Sequence, residues 1–376
     1  MNNQFDLNQH PLVVVWETTE PPASDSPESR SASPQLSDPE AEELIREVAE
    51  LRPPIFVFAG DPLRRPAIFS FVRYAASCGL HPNMLITASP ELTRKSIAGL
   101  KSAGLSRLGL TLHASSPELH DRLCGIEGSF ARTLEAMLWA RNSDMPLQVQ
   151  TMVTKENWNE LEAIAGILKK FQVIVWSVSF PVPLPGDEQA AEEAPTPQEF
   201  EEIFARLYAL SQEAPFKIKT VEAQHYRRFV LQEKAKARAL NIYEPTSSFL
   251  CEGVPGVLPI NETRGSVFIT CAGEVFASSC LPVSAGNIRH QKLTEIYRNS
   301  VLFKSLRDTS LLSGKCGRCE FKEICGGSRA RSWAAAGDMF GEDSCCVYLP
   351  GSKAQARAEV NVQPETDPSD EEAVNA

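Results

Sequence analysis

The chain has 376 residues, of which 43% are hydrophobic, and its formal net charge is −11. That length and apolar content can bury a large core, either as one big α/β domain or as one domain with a small appendage. No apolar run approaches the length of a membrane span, and no basic stripe with interleaved aromatic residues is present, which argues against membrane insertion and nucleic-acid binding.

Most of the negative charge lies in two segments. Residues 17–50 contain ten acids and two arginines, and residues 359–376 contain six acids and no base. The rest of the chain is therefore slightly basic, and the net charge does not describe the folded surface.

Short apolar runs alternate with amphipathic segments from residue 12 to about residue 240. A capping box at Ser37-Asp38-Pro39-Glu40 predicts a helix that ends near Leu51. The predicted strands are Leu12–Trp16, Ile55–Ala59, Met84–Thr87, Arg107–Leu112, Leu147–Val153, Val173–Phe180 and Phe216–Val221. The other predicted helices are Pro66–Cys78, one from Ser89 to near Gly104, Ser129–Arg141, Asn157–Phe171, Pro197–Glu213 and Tyr226–Arg238. About six strand–helix units favour a closed or partly closed barrel over a doubly wound sheet.

The remaining segments divide the chain into regions. Residues 1–11 are an N-terminal tail, residues 12–240 the barrel and residues 241–350 a small C-terminal domain. Within them, Pro- and acid-rich residues 18–36 and 181–197 are expected to be loops, and residues 351–376 a disordered acidic tail. The pattern of residues 266–279 predicts a β-hairpin that turns at Ala272-Gly273.

The densest chemical signal is a group of cysteines near the C-terminus. Cys316, Cys319 and Cys325 are spaced C-x2-C-x5-C, and Cys346 follows after twenty residues. Four thiolates can enclose either a zinc ion or a [4Fe–4S] cluster. Zinc sites usually use two compact knuckles, whereas a triplet plus one remote cysteine suits a cluster better. Cys345 competes with Cys346 as the fourth ligand. Four basic residues that could offset the cluster's charge follow nearby: Arg318, Lys322, Arg329 and Arg331.

The ten cysteines also indicate a compartment. The N-terminal sequence MNNQFDLNQH lacks the charged-then-apolar pattern of a signal peptide, so we expect a reducing cytoplasm and metal ligation instead of disulfides. Cys251, Cys271 and Cys280 are expected to be ordinary packed thiols.

The cysteine-rich segment resembles a known family. CGRCEFKEICGGSRAR, followed by GD-x-x-x-ED and a last cysteine before Tyr-x-Pro, is similar to the C-terminal SPASM region of radical S-adenosylmethionine (SAM) enzymes, in the branch of the haem-maturation enzymes. The preceding LPVSAGNIRHQKLTEIYRNSVLFKSLRD resembles the family's bridge into that region, and the likeness runs from about His10 to Pro350. It implies a partial (β/α)6 TIM-like barrel with a small iron–sulfur domain.

The resemblance also implies ligands. They fall on Cys316, Cys319, Cys325 and Cys346. Many SPASM domains carry another cysteine four residues after the third, where this chain has Arg329. One auxiliary [4Fe–4S] cluster is therefore expected, not two.

Polar residues at the strand ends are candidates for a cofactor site, because chemistry gathers there in parallel α/β folds. Gly60-Asp61-Pro62 matches the family's G-G-[ED]-P segment, with Ala59 in place of the first glycine, and would meet the amino group of SAM; a plain tight turn is the alternative. His113 ends the fourth strand, although a lone histidine is more often only hydrogen-bonded. Gln150 and Thr151 either face the barrel mouth or belong to an ordinary alternating strand.

The family's catalytic motif is missing. Radical SAM enzymes carry C-x3-C-x2-C after the first strand, and alignment of the flanking residues places Pro22, Ser26 and Ser29 at those positions. No cysteine precedes Cys78. Proline cannot bind iron, and a serine alkoxide is a poor substitute for a thiolate, so reductive cleavage of SAM is expected to be lost and SAM binding itself is in doubt.

Three functions follow from these patterns. The first is a degenerate radical SAM protein whose auxiliary cluster serves to bind a small molecule, a peptide or a partner enzyme, or to relay electrons. The second is an active enzyme that modifies a peptide or a tetrapyrrole. The third is a zinc-stapled scaffold. Whether the chain is an enzyme is thus left open by its sequence.

Overall fold

The computed structural model describes residues 5–19, 34–239 and 262–351. The strands within those ranges are Val13–Glu17 (β1), Ile55–Ala59 (β2), Pro82–Ile86 (β3), Arg107–Thr111 (β4), Leu147–Met152 (β5), Val175–Ser179 (β6), Lys217–Val221 (β7), Ser266–Ile269 (β8), Glu274–Phe276 (β9) and Gly286–Asn287 (β10). These strands form a single sheet, and β1 to β7 follow one another in chain order.

Along the chain, the strands β1 to β7 alternate with helices. Those of the described ranges are Asp38–Leu51 (α1), Ile68–Ser77 (α2), Arg94–Ala103 (α3), Pro117–Cys124 (α4), Ser129–Asn142 (α5), Leu161–Lys170 (α6), Glu188–Glu193 (α7), Pro197–Glu213 (α8), His225–Ala239 (α9), Glu262–Gly265 (α10), Leu293–Asn299 (α11), Val301–Arg307 (α12), Gly314–Gly317 (α13) and Arg329–Ala336 (α14). None of them is long and apolar enough to cross a membrane.

The strands β1 to β7 are all parallel to their neighbours. Their apolar side chains pack under the helices: in β1, Val14 and Trp16 are fully buried, and the Trp16 ring lies 5.8 Å from the Phe71 ring of α2. Val15 and Glu17 project from the opposite face and are partly exposed. This is the alternation of a barrel wall, and the predicted α/β partial barrel is confirmed.

The predicted hairpin is also present, and it extends the barrel sheet. Strand β8 pairs in parallel with β1, with Val13 opposite Ser266, and β9 and β10 continue the edge. The turn needs Gly273, whose φ is +89° and where a Cβ atom would come within 2.9 Å of Ile288. Because β8 pairs with β1, the residues that lead to the cysteines begin on the barrel itself.

Two contacts from α1 fix the segment that follows the hairpin. The Glu40 carboxylate accepts a hydrogen bond from Arg289 at 2.7 Å, and this contact, with the capping bonds from Ser37, lowers the pKa of Glu40 to about 2. The Glu47 carboxylate accepts from the backbone N–H of Leu293 at 2.6 Å. The capping box of α1 therefore has a second role, because it also holds the C-terminal region.

One sequence prediction was wrong, and one helix was missed. Residues 181–197 are not wholly loop, since α7 lies there and begins where the Asp187 side chain accepts the N–H of Ala190 at 3.0 Å. Helix α4 was not predicted, although its Pro117 start and its Gly125 end, with φ +65°, are ordinary signals. The predicted boundary near residue 240, most of loop 18–36 and the tail after residue 351 lie outside the described residues.

Candidate metal centre

Four thiols line a partly open cavity in the C-terminal region. They are those of Cys316, Cys319, Cys325 and Cys346. The other lining residues are Arg228, Lys315, Lys322, Gly326, Gly327, Tyr348 and Pro350. The chain thus folds the predicted triplet and the remote Cys346 to one place.

The backbone after Cys325 can pass close to Cys316 only because one position there is glycine. Gly326 and Gly327 have φ angles of +65° and +70°. A Cβ atom on Gly327 would lie 3.1 Å from the Cys316 sulfur and 2.6 Å from Nη2 of Arg329. The Gly-Gly pair therefore lets the chain turn tightly after Cys325 and pass close to Cys316.

Backbone N–H groups point at the two most buried sulfurs. The Asp343 N–H donates to the Cys316 sulfur and the Gly327 N–H to the Cys325 sulfur, each at 3.4 Å. Such bonds stabilise negative charge on sulfur and are one of the means by which proteins tune iron–sulfur clusters.

Burial opposes ionisation of three of these thiols when nothing is bound. It raises the pKa of Cys325 to about 12 and that of Cys346 to about 11, and it also raises the pKa of Cys319. At neutral pH these three thiols therefore keep their protons unless a cation displaces them. Loading of metal must release protons, as is general for thiolate sites.

The four thiols do not form a compact single-ion site. A structural zinc site brings its sulfurs to about 2.3 Å from one atom. Within residues 5–19, 34–239 and 262–351, no three His, Cys, Asp or Glu side chains are placed so as to hold one ion. All four thiols nevertheless line the same cavity.

Cys345 has a different environment from Cys346. It is not among the lining residues and packs partly buried against the apolar core.

The neighbouring Asp343 is fully buried. It accepts the N–H groups of Ser328 and Cys345 at 2.8 and 3.1 Å, and it is paired with both Nε and Nη2 of Arg331. Burial alone would raise the pKa of Asp343, but the Arg331 charge outweighs it and holds that pKa well below its usual range.

Arg329 takes part in the same framework. Its Nη1 donates to the carbonyls of Met339 and Gly341, both at 2.8 Å, while its buried Nη2 has no acceptor among the described residues. The position that often carries a cysteine in SPASM domains here organises the loop before Cys346.

The barrel mouth contains the predicted Gly60-Asp61-Pro62 turn. Gly60 has a φ of +82°, and its position lies against Thr19 and Glu17 at the end of β1. The Asp61 N–H donates to the Thr19 hydroxyl at 3.0 Å, and burial raises the pKa of Asp61. Glu17 was missed by the sequence prediction; burial raises the pKa of its carboxyl to about 7, so a group that can gain or lose a proton faces this mouth.

The other strand-end candidates lie on neighbouring strands. His113 follows β4, and its Nδ1 accepts the N–H of Met152 at 3.1 Å, while burial lowers its pKa to about 4 and keeps the ring neutral. Gln150 is partly exposed on β5. Thr151 is not: it is buried on the helix side, where its hydroxyl accepts from the Trp176 ring N–H at 2.9 Å.

Neither the mouth residues nor the remaining described cysteines line the four-thiol cavity. Cys271 is buried and Cys280 is partly buried against the core. Pro22, Ser26, Ser29 and Cys251 lie outside the described residues.

Comparisons with known proteins agree with this architecture. Residues 20–168 match the model of the radical SAM superfamily, and residues 261–320 match the SPASM iron–sulfur cluster-binding domain. An AdoMet-dependent heme synthase from Methanosarcina barkeri is 34% identical over 92% of this chain and 99% of its own length. A PqqA peptide cyclase from Rhodopseudomonas palustris is 25% identical over 90% of this chain and 88% of its own.

The fold also resembles solved structures. Streptococcus suis SuiB bound to S-adenosylmethionine superimposes with a TM-score of 0.65, at 14% identity, over 90% of this chain and 78% of SuiB. The overall fold is thus a known one. The chain belongs to the radical SAM superfamily, in the group that carries a SPASM iron–sulfur domain and includes the AdoMet-dependent heme synthases.

Proposed function

We propose that this protein is a radical SAM/SPASM-family iron–sulfur protein that keeps one auxiliary [4Fe–4S] cluster and has lost reductive cleavage of SAM. Cys316, Cys319, Cys325 and Cys346 hold the cluster. The observation that carries the proposal is the four-thiol cavity in a chain that has no cysteine before Cys78.

The residues at the motif positions support the proposed loss of reductive SAM cleavage. Reductive cleavage needs an iron atom with a free coordination position, next to the amine and carboxylate of SAM. In the loop after β1 the motif positions are Pro22, Ser26 and Ser29, none of which supplies a thiolate. A cluster with four cysteine ligands has no open iron, as in closed structural metal sites. The auxiliary cluster would then serve electron relay or the binding of a small molecule, a peptide or a partner enzyme.

A heme-synthase-like enzyme is the competing function. It is favoured by the 34% identity to the Methanosarcina barkeri protein over almost the whole of that chain. The Gly60-Asp61-Pro62 turn, with its backbone groups and its carboxylate, remains a site where the amino group of SAM would bind in either case. The two functions differ in whether bound SAM is cleaved.

Formation of 5′-deoxyadenosine decides between them. The reconstituted protein is incubated anaerobically with SAM and dithionite, and a no-protein sample and Cys319→Ala serve as controls. We expect no 5′-deoxyadenosine above these controls even with the auxiliary cluster fully loaded. Turnover well above both controls would refute the proposed loss.

A restoration variant tests the cause of the loss. Pro22→Cys, Ser26→Cys and Ser29→Cys together return three thiolates to the loop after β1. If only the ligands were lost, this variant should bind about four more iron atoms per chain than the wild type, the content of one cluster. No added iron would mean that the barrel mouth has changed beyond the three ligands.

A further inference from the structure

One lining residue of the four-thiol cavity comes from the barrel. Of the described residues that line it, ten lie between residues 315 and 350, and the eleventh is Arg228 on α9. Its side chain is 5% exposed. The barrel therefore contributes a buried cation to the wall of the candidate cluster site.

Arg228 is held rigidly in that wall. Its two terminal nitrogens pair with the two oxygens of Glu201 on α8, one of them at 3.1 Å, and Nη1 also donates to Gln232 at 2.7 Å. The guanidinium carbon lies 5.5 Å from the centre of the Tyr348 ring. A two-point ion pair and a stacked ring fix the position of the charge.

The third nitrogen of this side chain is not used by these contacts. Nε of Arg228 is buried and has no hydrogen-bond acceptor among the described residues. A buried N–H without an acceptor is costly in a folded protein. A negatively charged group in the cavity that Arg228 lines would supply the missing acceptor.

The surroundings keep the arginine charged. Burial alone would lower its pKa, but Glu201 and the nearby Cys346 and Cys325 outweigh burial and hold the pKa of Arg228 above its ordinary value. Two lysines also line the cavity, but both are partly exposed and Lys315 donates to the Cys346 carbonyl at 2.6 Å. Water screens such charges more than it screens Arg228.

We propose that Arg228 is a positioning residue of the barrel that sets the reduction potential of the cluster held by the four cysteines. This inference rests on the proposed function. One-electron reduction of a cluster with four thiolate ligands adds one negative charge and breaks no bond. A fixed buried cation beside it stabilises the reduced form more than the oxidised form, and net charge and hydrogen bonds are known determinants of cluster potentials.

The test is an anaerobic redox titration of wild-type and variant proteins that have equal iron content, with dithionite as reductant. Arg228→Gln should lower the equilibrium constant for reduction at least about tenfold, a shift of about 59 mV to more negative potential for one electron. Arg228→Lys keeps the positive charge and should shift the reduction potential less than Arg228→Gln does.

Arg206 provides a matched control. It lies on α8, forms a two-point pair with Glu162 and stacks over Trp158 at 5.3 Å, but it does not line the cavity. Arg206→Gln should leave the potential at the wild-type value. The proposal is overturned if Arg228→Gln holds its full iron content and its reduction potential equals that of the wild type and of Arg206→Gln.

If Arg228→Gln does not bind the cluster, a second variant still tests the proposal. Glu201→Gln retains Arg228 and removes a neighbouring anion, so it should shift the potential in the positive direction, while Glu162→Gln should not. An unchanged or more negative potential in Glu201→Gln contradicts the proposal. If the wild-type protein holds no iron, it is the proposed function that fails, and this inference with it.

Discussion

At the scale of single residues, Cys345 and Cys346 form a natural pair for testing the ligand set. They are adjacent in sequence, but only Cys346 lines the four-thiol cavity, and Cys345 packs against the core. Cys346→Ala should therefore lose most of its iron after anaerobic reconstitution, whereas Cys345→Ala should keep the wild-type content. Iron analysis and absorbance near 400 nm measure both. Equal iron in the two variants would show that the fourth ligand is wrongly assigned.

Glu17 gives a prediction about pH. An acid whose pKa is raised on folding binds its proton more tightly in the folded state, so stability is lost as pH rises from about 4.5 to about 7. Glu17→Gln removes this loss. We expect the variant to gain about 1–2 kcal/mol over the wild type above that window, after allowance for solvent screening, and little below it.

Urea unfolding of both proteins at pH 4 and pH 8 measures the difference. Glu118→Gln, at an exposed position on α4, is the control and should show no such dependence. A Glu17→Gln gain that is equal at both pH values would mean that its carboxyl is not perturbed.

Sequence reasoning found the cysteines but missed Glu17 and Arg228. Residue type and spacing are enough to identify the cysteines as candidate ligands. Glu17 looks like the first acid of an acidic segment, and only the strand register shows that it faces the barrel mouth beside Gly60. Arg228 looks like one of several cations in a basic helix, and its burial against Tyr348 depends on residues more than a hundred positions away.

At the scale of elements, the buried Asp343–Arg331 pair holds α14 to the cysteine loop. The carboxylate also accepts the N–H of Ser328, which begins α14. Asp343→Asn would leave the Arg331 charge buried without its partner, a change that typically costs about 3–5 kcal/mol. Urea unfolding should show this loss, together with reduced iron binding.

The exposed pair of Arg206 with Glu162 is the control for that experiment. The Glu162 side chain is about half exposed, so Glu162→Gln should change the free energy of unfolding by less than about 1 kcal/mol. If Asp343→Asn is no more destabilising than Glu162→Gln, the buried pair does not anchor the loop.

Helices and strands with strong local signals were predicted well. Helix α8 matches its predicted bounds, and the Thr196 cap with Glu199 three residues on explains why. Helix α7 was missed because its composition, rich in Pro and Glu on either side, is that of an exposed loop. The Asp187 cap that starts it is a weak signal in such a context.

At the scale of the whole molecule, the barrel and the cysteine region share one sheet. The alternation of strands and helices predicted the parallel barrel, and the resemblance predicted the iron–sulfur domain. The pairing of β8 with β1 was not predictable, because it joins Val13 to Ser266 across about 250 residues and no local pattern specifies such a register. The cysteine region meets the start of α9 at Glu222, whose carboxylate accepts a hydrogen bond from Ser328 at 2.7 Å, and Arg228 of α9 lines the cavity.

The central claim is that the protein holds one cluster, at the four cysteines, and no second one. Iron and acid-labile sulfide per chain, measured after anaerobic reconstitution, test it most directly. The account predicts about four iron atoms and a broad absorption band near 400 nm, both lost in Cys319→Ala. About eight iron atoms per chain, or zinc in place of iron, would contradict it.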